Sequence, residues 1–194
     1  MKRICVFCGS SPGKLPSYTA AAKKLGKLLA KKKIGLVYGG ASIGLMGAIA
    51  DSVLAAGGDV IGVIPKDLAA KEVAHKRLPD LRIVSSMHER KALMEKLSDG
   101  FIALPGGYGT FEEFCEILTW SQLGLHKKPC GLLNISGYYD RFLEFIDHAV
   151  REEFVRKEHR DTLLCASDPE QLLLQFQNYA PPMQEKWITS TSKT

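Results

Sequence analysis

The residues most able to do chemistry lie in three short stretches, each directly after an apolar run. In Pro105-Gly106-Gly107-Tyr108-Gly109-Thr110-Phe111-Glu112-Glu113, three glycines fall within four residues. Glycine lets a backbone approach a ligand without a Cβ in the way. A helix that starts there presents unpaired N–H groups to an anion. Gly106, Gly107, Gly109 and Thr110 are therefore candidate phosphate-binding positions. The stretch from Gly39 to Gly47 offers a second cradle of the same kind, with Gly39, Gly40 and Gly44 as candidates. The third stretch, Met87-His88-Glu89-Arg90-Lys91, puts two cations into the first turn of an expected helix, where they oppose the helix dipole. Such a placement points to a phosphate or carboxylate partner elsewhere, or else to a solvated surface.

Glu113 has two readings. Thr110 and Glu113 form a T-x-x-E pattern, which is a capping box. Alternatively, a carboxylate at the rim of a glycine-rich anion site faces the place where a sugar would lie. Glu112 and Glu116 share the same helix start and read as dipole partners.

Other chemistries fit less well. Gly9-Ser10-Ser11-Pro12-Gly13-Lys14 resembles a Walker A loop, but its spacing is one residue short and Leu15 stands where Ser or Thr would hold magnesium. Gly9 and Ser10 could still approach a ligand. A nicotinamide site is disfavoured, because the second glycine loop has GxxxGxxG spacing and Asp59 opens the next strand instead of closing it. Cys5 and Cys8 form a CxxC, yet residues three apart on a strand point to opposite faces. With no second CxxC and no HxxxH pair, no metal site is expected.

The elements needed to position these loops are legible as alternation. Apolar runs at 3–8, 34–38, 59–64, 81–84, 101–104 and 130–133, with a possible last one at 162–165, have the near-continuous character of strands buried on both faces. Helical patterns at 17–32, 43–56, 87–97, 111–125, 138–154 and 169–178 lie between them. This order predicts an α/β fold: a Rossmann-like, doubly wound, mostly parallel sheet flanked by helices. Ligands of such sheets bind beyond the carboxyl ends of the strands, where all three stretches fall. A single domain over 1–180 and a polar tail over 181–194 are expected from length and composition.

Composition narrows the partners. No apolar run approaches the ~18 residues of a membrane span, and no signal peptide is recognisable, so a cytosolic protein is expected. The net charge is +5, and residues 1–50 carry nine Lys or Arg with no acid. Lys23, Lys27 and Lys31 recur at helical spacing, which fits a solvated face. No aromatics interleave with the basic residues, which argues against nucleic acid. The 111–125 segment is apolar on much of its surface (Phe111, Phe114, Cys115, Leu118, Trp120, Leu123, Leu125), more than one buried stripe requires.

GGASIGLMG, MHERK and PGGYGTFEE, in this order on these loops, resemble the Lonely Guy (LOG) family, often labelled "possible lysine decarboxylase". The likeness runs from about residue 3 to residue 178. It implies a Rossmann-like homodimer that releases cytokinin or adenine from the riboside 5'-monophosphate, leaving ribose 5-phosphate, with no cofactor. It also implies that Arg90 and Glu113 are the catalytic pair, and that Lys91 and the positions Gly107, Tyr108, Gly109, Thr110, Phe111, Glu112 and Glu113 contact substrate. Glu72 and Thr119 match further substrate contacts. No lysine stands in a recognisable pyridoxal-phosphate context, so the decarboxylase label finds no support. Glycosidic cleavage builds positive charge on C1' and the ring oxygen, which a carboxylate such as Glu113 can stabilise. Arg90 is expected to hold ribose or phosphate oxygens and to favour the ionised carboxylate. A non-catalytic nucleotide carrier with the same pocket is the alternative.

Overall fold

The apolar runs pair edge to edge as parallel strands. The computed structural model describes residues 1–69 and 74–181. Strands β1 (Arg3–Phe7), β2 (Gly35–Tyr38), β3 (Val60–Pro65), β4 (Asp80–Val84), β5 (Phe101–Ala103), β6 (Cys130–Leu133) and β7 (Leu163–Ala166) form one sheet in the order β4-β3-β2-β1-β5-β6-β7. Every strand pair in it is parallel. The expected α/β fold is present, and the connections are helices: α1 (Pro16–Lys31), α2 (Gly44–Ala55), α3 (Lys66–Ala69), α4 (Met87–Leu97), α5 (Tyr108–Gln122), α6 (Asp140–Arg151), α7 (Lys157–Asp161) and α8 (Pro169–Gln177). The short α3 and α7 were not expected, since four or five residues carry no helical periodicity. The expected contact at Glu72, and the polar tail beyond Pro181, lie outside the described residues.

Two apolar layers sandwich the sheet. On one face Ile4, Val6, Leu36 and Tyr38 pack with α1, α2 and α8. On the other, Cys5, Phe7, Val37 and Phe101 pack with Met94 of α4 and with Phe114 and Ile117 of α5. Cys5 and Cys8 are accordingly on opposite faces, and both thiols are free. Burial pushes both thiols up, and the Glu113 charge adds to it.

The strand order reverses between β1 and β5, which pair with each other at the centre. That is where a doubly wound sheet opens a crevice for ligands. Two turns meet there: the Gly9 amide donates to the Pro105 carbonyl at 3.0 Å, and the Leu104 amide to the Phe7 carbonyl at 2.9 Å.

One helix boundary changes the reading of Glu113. Helix α5 begins at Tyr108 with Gly107 in the N-cap position, so Thr110 and Glu113 lie inside the helix. The capping-box reading is thereby corrected: Thr110 caps nothing, and the helix start carries no side-chain cap at all. Helix α6 also departs from expectation. It starts at Asp140, after a 3-10 turn Ile135–Gly137 in which Ser136 takes φ 53° and Gly137 φ 72°. These left-handed residues stand just before the 138–154 pattern, and Tyr138 and Tyr139 precede the helix instead of opening it.

Candidate active site

Three glycine-rich or charged loops converge at the carboxyl ends of the strands. Helix α4 is conventionally capped: the Ser86 hydroxyl accepts from the Glu89 amide at 3.1 Å. This fixes the first turn and sends Arg90 and Lys91 inward, where both are buried. Their partners are carboxylates of α5. Arg90 Nη2 lies 3.2 Å from Glu113 Oε1, and the two side chains are only 7% and 10% exposed. Lys91 Nζ donates to Glu112 at 2.5 Å and lies 3.0 Å from Glu116 Oε2. The unfavourable placement of two cations at a helix start is thus explained by three ion pairs that tie α4 to α5.

Burial draws the Lys91 pKa down, but hydrogen bonds to Glu112 and Glu116 outweigh it and hold the ammonium above its ordinary value. Arg90 is less fully engaged. Its Nη1 reaches the Met87 sulfur at 3.9 Å, and its buried Nε has no acceptor among the described residues. Burying a donor without a partner costs roughly 1–3 kcal/mol, so this N–H is an unsatisfied donor beside the Glu113 carboxylate.

The glycines divide into two kinds. A Cβ on Gly39 would strike the Arg90 guanidinium, one on Gly44 the Ser10 backbone, and one on Gly106 the Thr110 side chain. Gly40 packs on Leu81 and Ile64, and its carbonyl accepts from the His75 amide at 2.9 Å. These four glycines permit close packing of the protein on itself. The Gly39–Gly47 loop is also partly occupied by protein, since the Leu45 amide donates to the Gly9 carbonyl at 3.0 Å. Gly107 and Gly109 differ: a Cβ on either would meet nothing within 4 Å. Tyr108 between them is 93% exposed. The open glycine face is therefore the start of α5, a helix end with no side-chain cap.

Phe111 is half-buried against Tyr139 and Phe142. Glu112 is exposed and Thr110 buried. Thr119 is not brought to the pair within one chain. It lies six residues beyond Glu113, about 9 Å further along the helix, donates to its own Cys115 carbonyl at 2.8 Å, and lines a cleft with Leu118, Ile146 and Val155. A cleft between α7 and α8 contains none of the expected site residues. Sequence reasoning missed Tyr138 and Tyr139, whose hydroxyls bond the carbonyls of Gly106 and Leu104. The local signal was the Gly137-Tyr138-Tyr139 junction at the start of a segment read as helix.

The family described as "possible lysine decarboxylase" matches residues 46–176. A probable cytokinin riboside 5'-monophosphate phosphoribohydrolase of Oryza sativa subsp. japonica is 53% identical over 180 residues, 93% of this chain and 79% of the relative. A cytokinin riboside 5'-monophosphate phosphoribohydrolase of Arabidopsis thaliana is 50% identical over 189 residues, 97% of this chain and 86% of the relative. Among solved structures, the molybdenum cofactor binding protein of Rippkaea orientalis aligns with a TM-score of 0.68 at 23% identity, over 92% of this chain and 97% of that one. At that identity the likeness concerns the fold alone.

Proposed function

The chain belongs to the possible lysine decarboxylase family, the LOG family, and on that premise we propose that it hydrolyses the N-glycosidic bond of an adenine-type nucleoside 5'-monophosphate. The substrate is a cytokinin riboside 5'-monophosphate, AMP or both, and the products are the free base and ribose 5-phosphate. The observation that carries the reading is the buried Arg90–Glu113 pair beside an uncapped helix start with two glycines open to space.

In this reading the amides at the start of α5 take the 5'-phosphate, as helix N-termini take anions. Water adds across the C1'–N bond. As the base departs, positive charge grows on C1' and the ring oxygen, and the Glu113 carboxylate stabilises it and orients the attacking water. Arg90 does nothing useful for a cation directly. Its free Nε and the rest of its guanidinium hold ribose or phosphate oxygens. The grip on the phosphate supplies binding energy that positions the distant sugar. No cofactor is required.

The proposal extends to a cytoplasmic homodimer. Helix α6 fully buries none of its residues, and its Phe145 is 65% exposed. Leu123 and Leu125, just beyond α5, are exposed as well. A second copy would cover these apolar groups, and Thr119 would reach a substrate only across such an interface. Free thiols at all five cysteines fit a reducing compartment. No helix among the described residues is long and apolar enough to cross a membrane.

The direct experiment incubates the protein with AMP and with a cytokinin riboside 5'-monophosphate and measures released base and ribose 5-phosphate. Binding of both nucleotides without release of base would make the protein a carrier and sink the hydrolase reading.

A further inference from the structure

In the turn before α5 every carbonyl has a donor. The Leu104 carbonyl accepts from the Tyr139 hydroxyl at 2.6 Å. The Pro105 carbonyl accepts from the Gly9 amide at 3.0 Å, and the Gly107 carbonyl from the Phe111 amide at 3.1 Å. The Gly106 carbonyl accepts from the Tyr138 hydroxyl. A trans peptide is planar, with its C=O and the following N–H pointing in opposite directions. Fixing a carbonyl therefore aims the next amide. The bond to Gly106 aims the Gly107 N–H, and the bond to Gly107 aims the Tyr108 N–H. Neither of these amides donates to a backbone or side-chain acceptor among the described residues. Gly107 and Gly109 flank Tyr108 and are positions where an added Cβ would meet nothing within 4 Å, and Tyr108 itself is exposed.

Of these four bonds, the one from Tyr138 is singular. It comes from a side chain, and it holds a peptide whose N–H faces the open site. The Tyr139 bond holds the Leu104–Pro105 peptide, which has no N–H. The chain also strains to deliver Tyr138. Ser136 sits at φ 53°, an uncommon backbone region for a residue with a Cβ. Its hydroxyl is bonded to Ser17 at 3.1 Å, and the Tyr138 ring stands edge-on to Tyr18 and Tyr139, with centroids 5.7 and 5.0 Å away. Tyr138 is 36% exposed, so its ring fills no core.

We propose that Tyr138 is a positioning residue for the substrate phosphate: its hydroxyl, bound to the Gly106 carbonyl, aims the Gly107 amide at the anion and so sets the preference for a nucleotide over its nucleoside. The inference rests on the hydrolase reading above.

The test compares Tyr138→Phe with Tyr139→Phe, both of which keep the ring and lose the hydroxyl. It measures kcat/KM for AMP and for adenosine, calorimetric affinity for ribose 5-phosphate, and melting temperature. Tyr138→Phe is expected to lower AMP kcat/KM and ribose 5-phosphate affinity about tenfold, the worth of one hydrogen bond, while adenosine cleavage and folding stay near wild type. Tyr139→Phe is expected to lower the melting temperature and leave the AMP-to-adenosine ratio intact. An unchanged ratio in Tyr138→Phe, an equal loss on both substrates, or failure of that variant to fold would overturn the proposal. A wild type that binds ribose 5-phosphate without cleaving AMP sinks the hydrolase reading alone, and the affinity comparison then decides the role of Tyr138. A wild type that binds neither ligand overturns both.

Discussion

Arg90 and Glu113 meet at 3.2 Å across α4 and α5, and the guanidinium fills the space that a Cβ on Gly39 would need. Three loops, from β2, β4 and β5, thus interlock at one ion pair. Glu113 sits well inside α5, so its carboxylate is not spent on capping the helix.

Glu113→Gln separates charge from shape. Loss of a positioned catalytic carboxylate should lower kcat for base release by roughly 10²–10⁴-fold while AMP affinity is largely kept. The amide still offers Arg90 an acceptor, so the protein should stay folded with a stability loss of about 1–3 kcal/mol. Turnover near wild type, in a variant shown to be folded by its melting curve, would remove Glu113 from the chemistry.

The glycines should respond according to what lies beside them. Gly107→Ala and Gly109→Ala meet no protein atom within 4 Å and should melt near the wild-type temperature. A methyl group there would nevertheless face the substrate, and AMP kcat/KM should fall by about tenfold or more, the equivalent of ~1.4 kcal/mol. Gly106→Ala and Gly39→Ala should destabilise the protein first, because their Cβ atoms would run into Thr110 and Arg90. Normal AMP kinetics in both Gly107→Ala and Gly109→Ala would mean the phosphate binds elsewhere.

Lys91 should behave as a strut. Its Nζ is already taken by Glu112 and Glu116, so removing it strands buried structure more than it frees a substrate. Breaking a buried pair from one side costs about 3–5 kcal/mol, and Lys91→Ala should approach the lower end because Glu112 is half exposed to water. The pH dependence has a definite sign. The folded-state pKa is raised, so this stabilisation is complete below the ordinary lysine value of about 10.4 and is lost as pH rises through the higher folded value. Wild type should therefore lose its melting-temperature advantage over Lys91→Met in strongly alkaline buffer. A constant advantage from neutral pH upward would contradict the strut.

Assembly has its own readout. A dimer built on the apolar face of α6 should be split by Phe145→Asp, which places a charge on a residue 65% exposed in one chain. Light scattering should then fall from twice the chain mass to the 21.3 kDa of one chain. A wild type that already scatters as a monomer at micromolar concentration would refute the dimer.

The amino-acid sequence by itself determined the alternation of buried strands and helices, because short near-continuous apolar runs such as 59–64, set between helical patterns, suit strands buried on both faces of a sheet. It also determined which loops carry glycine and charge, since those signals are local. What it could not determine was which groups meet. A T-x-x-E pattern has the same letters inside a helix as at its start, and only the turn geometry at Gly107 moves Thr110 and Glu113 inward. Six glycines looked alike as phosphate cradles, yet four of them are filled by the protein's own atoms and two face open space. Several of those differences arise from contacts between segments far apart in sequence, as when Arg90 fills the space beside Gly39 or Ser10 the space beside Gly44. Long-range proximity is decided by how the sheet orders its strands, and the spacing of residues along one chain carries no record of it.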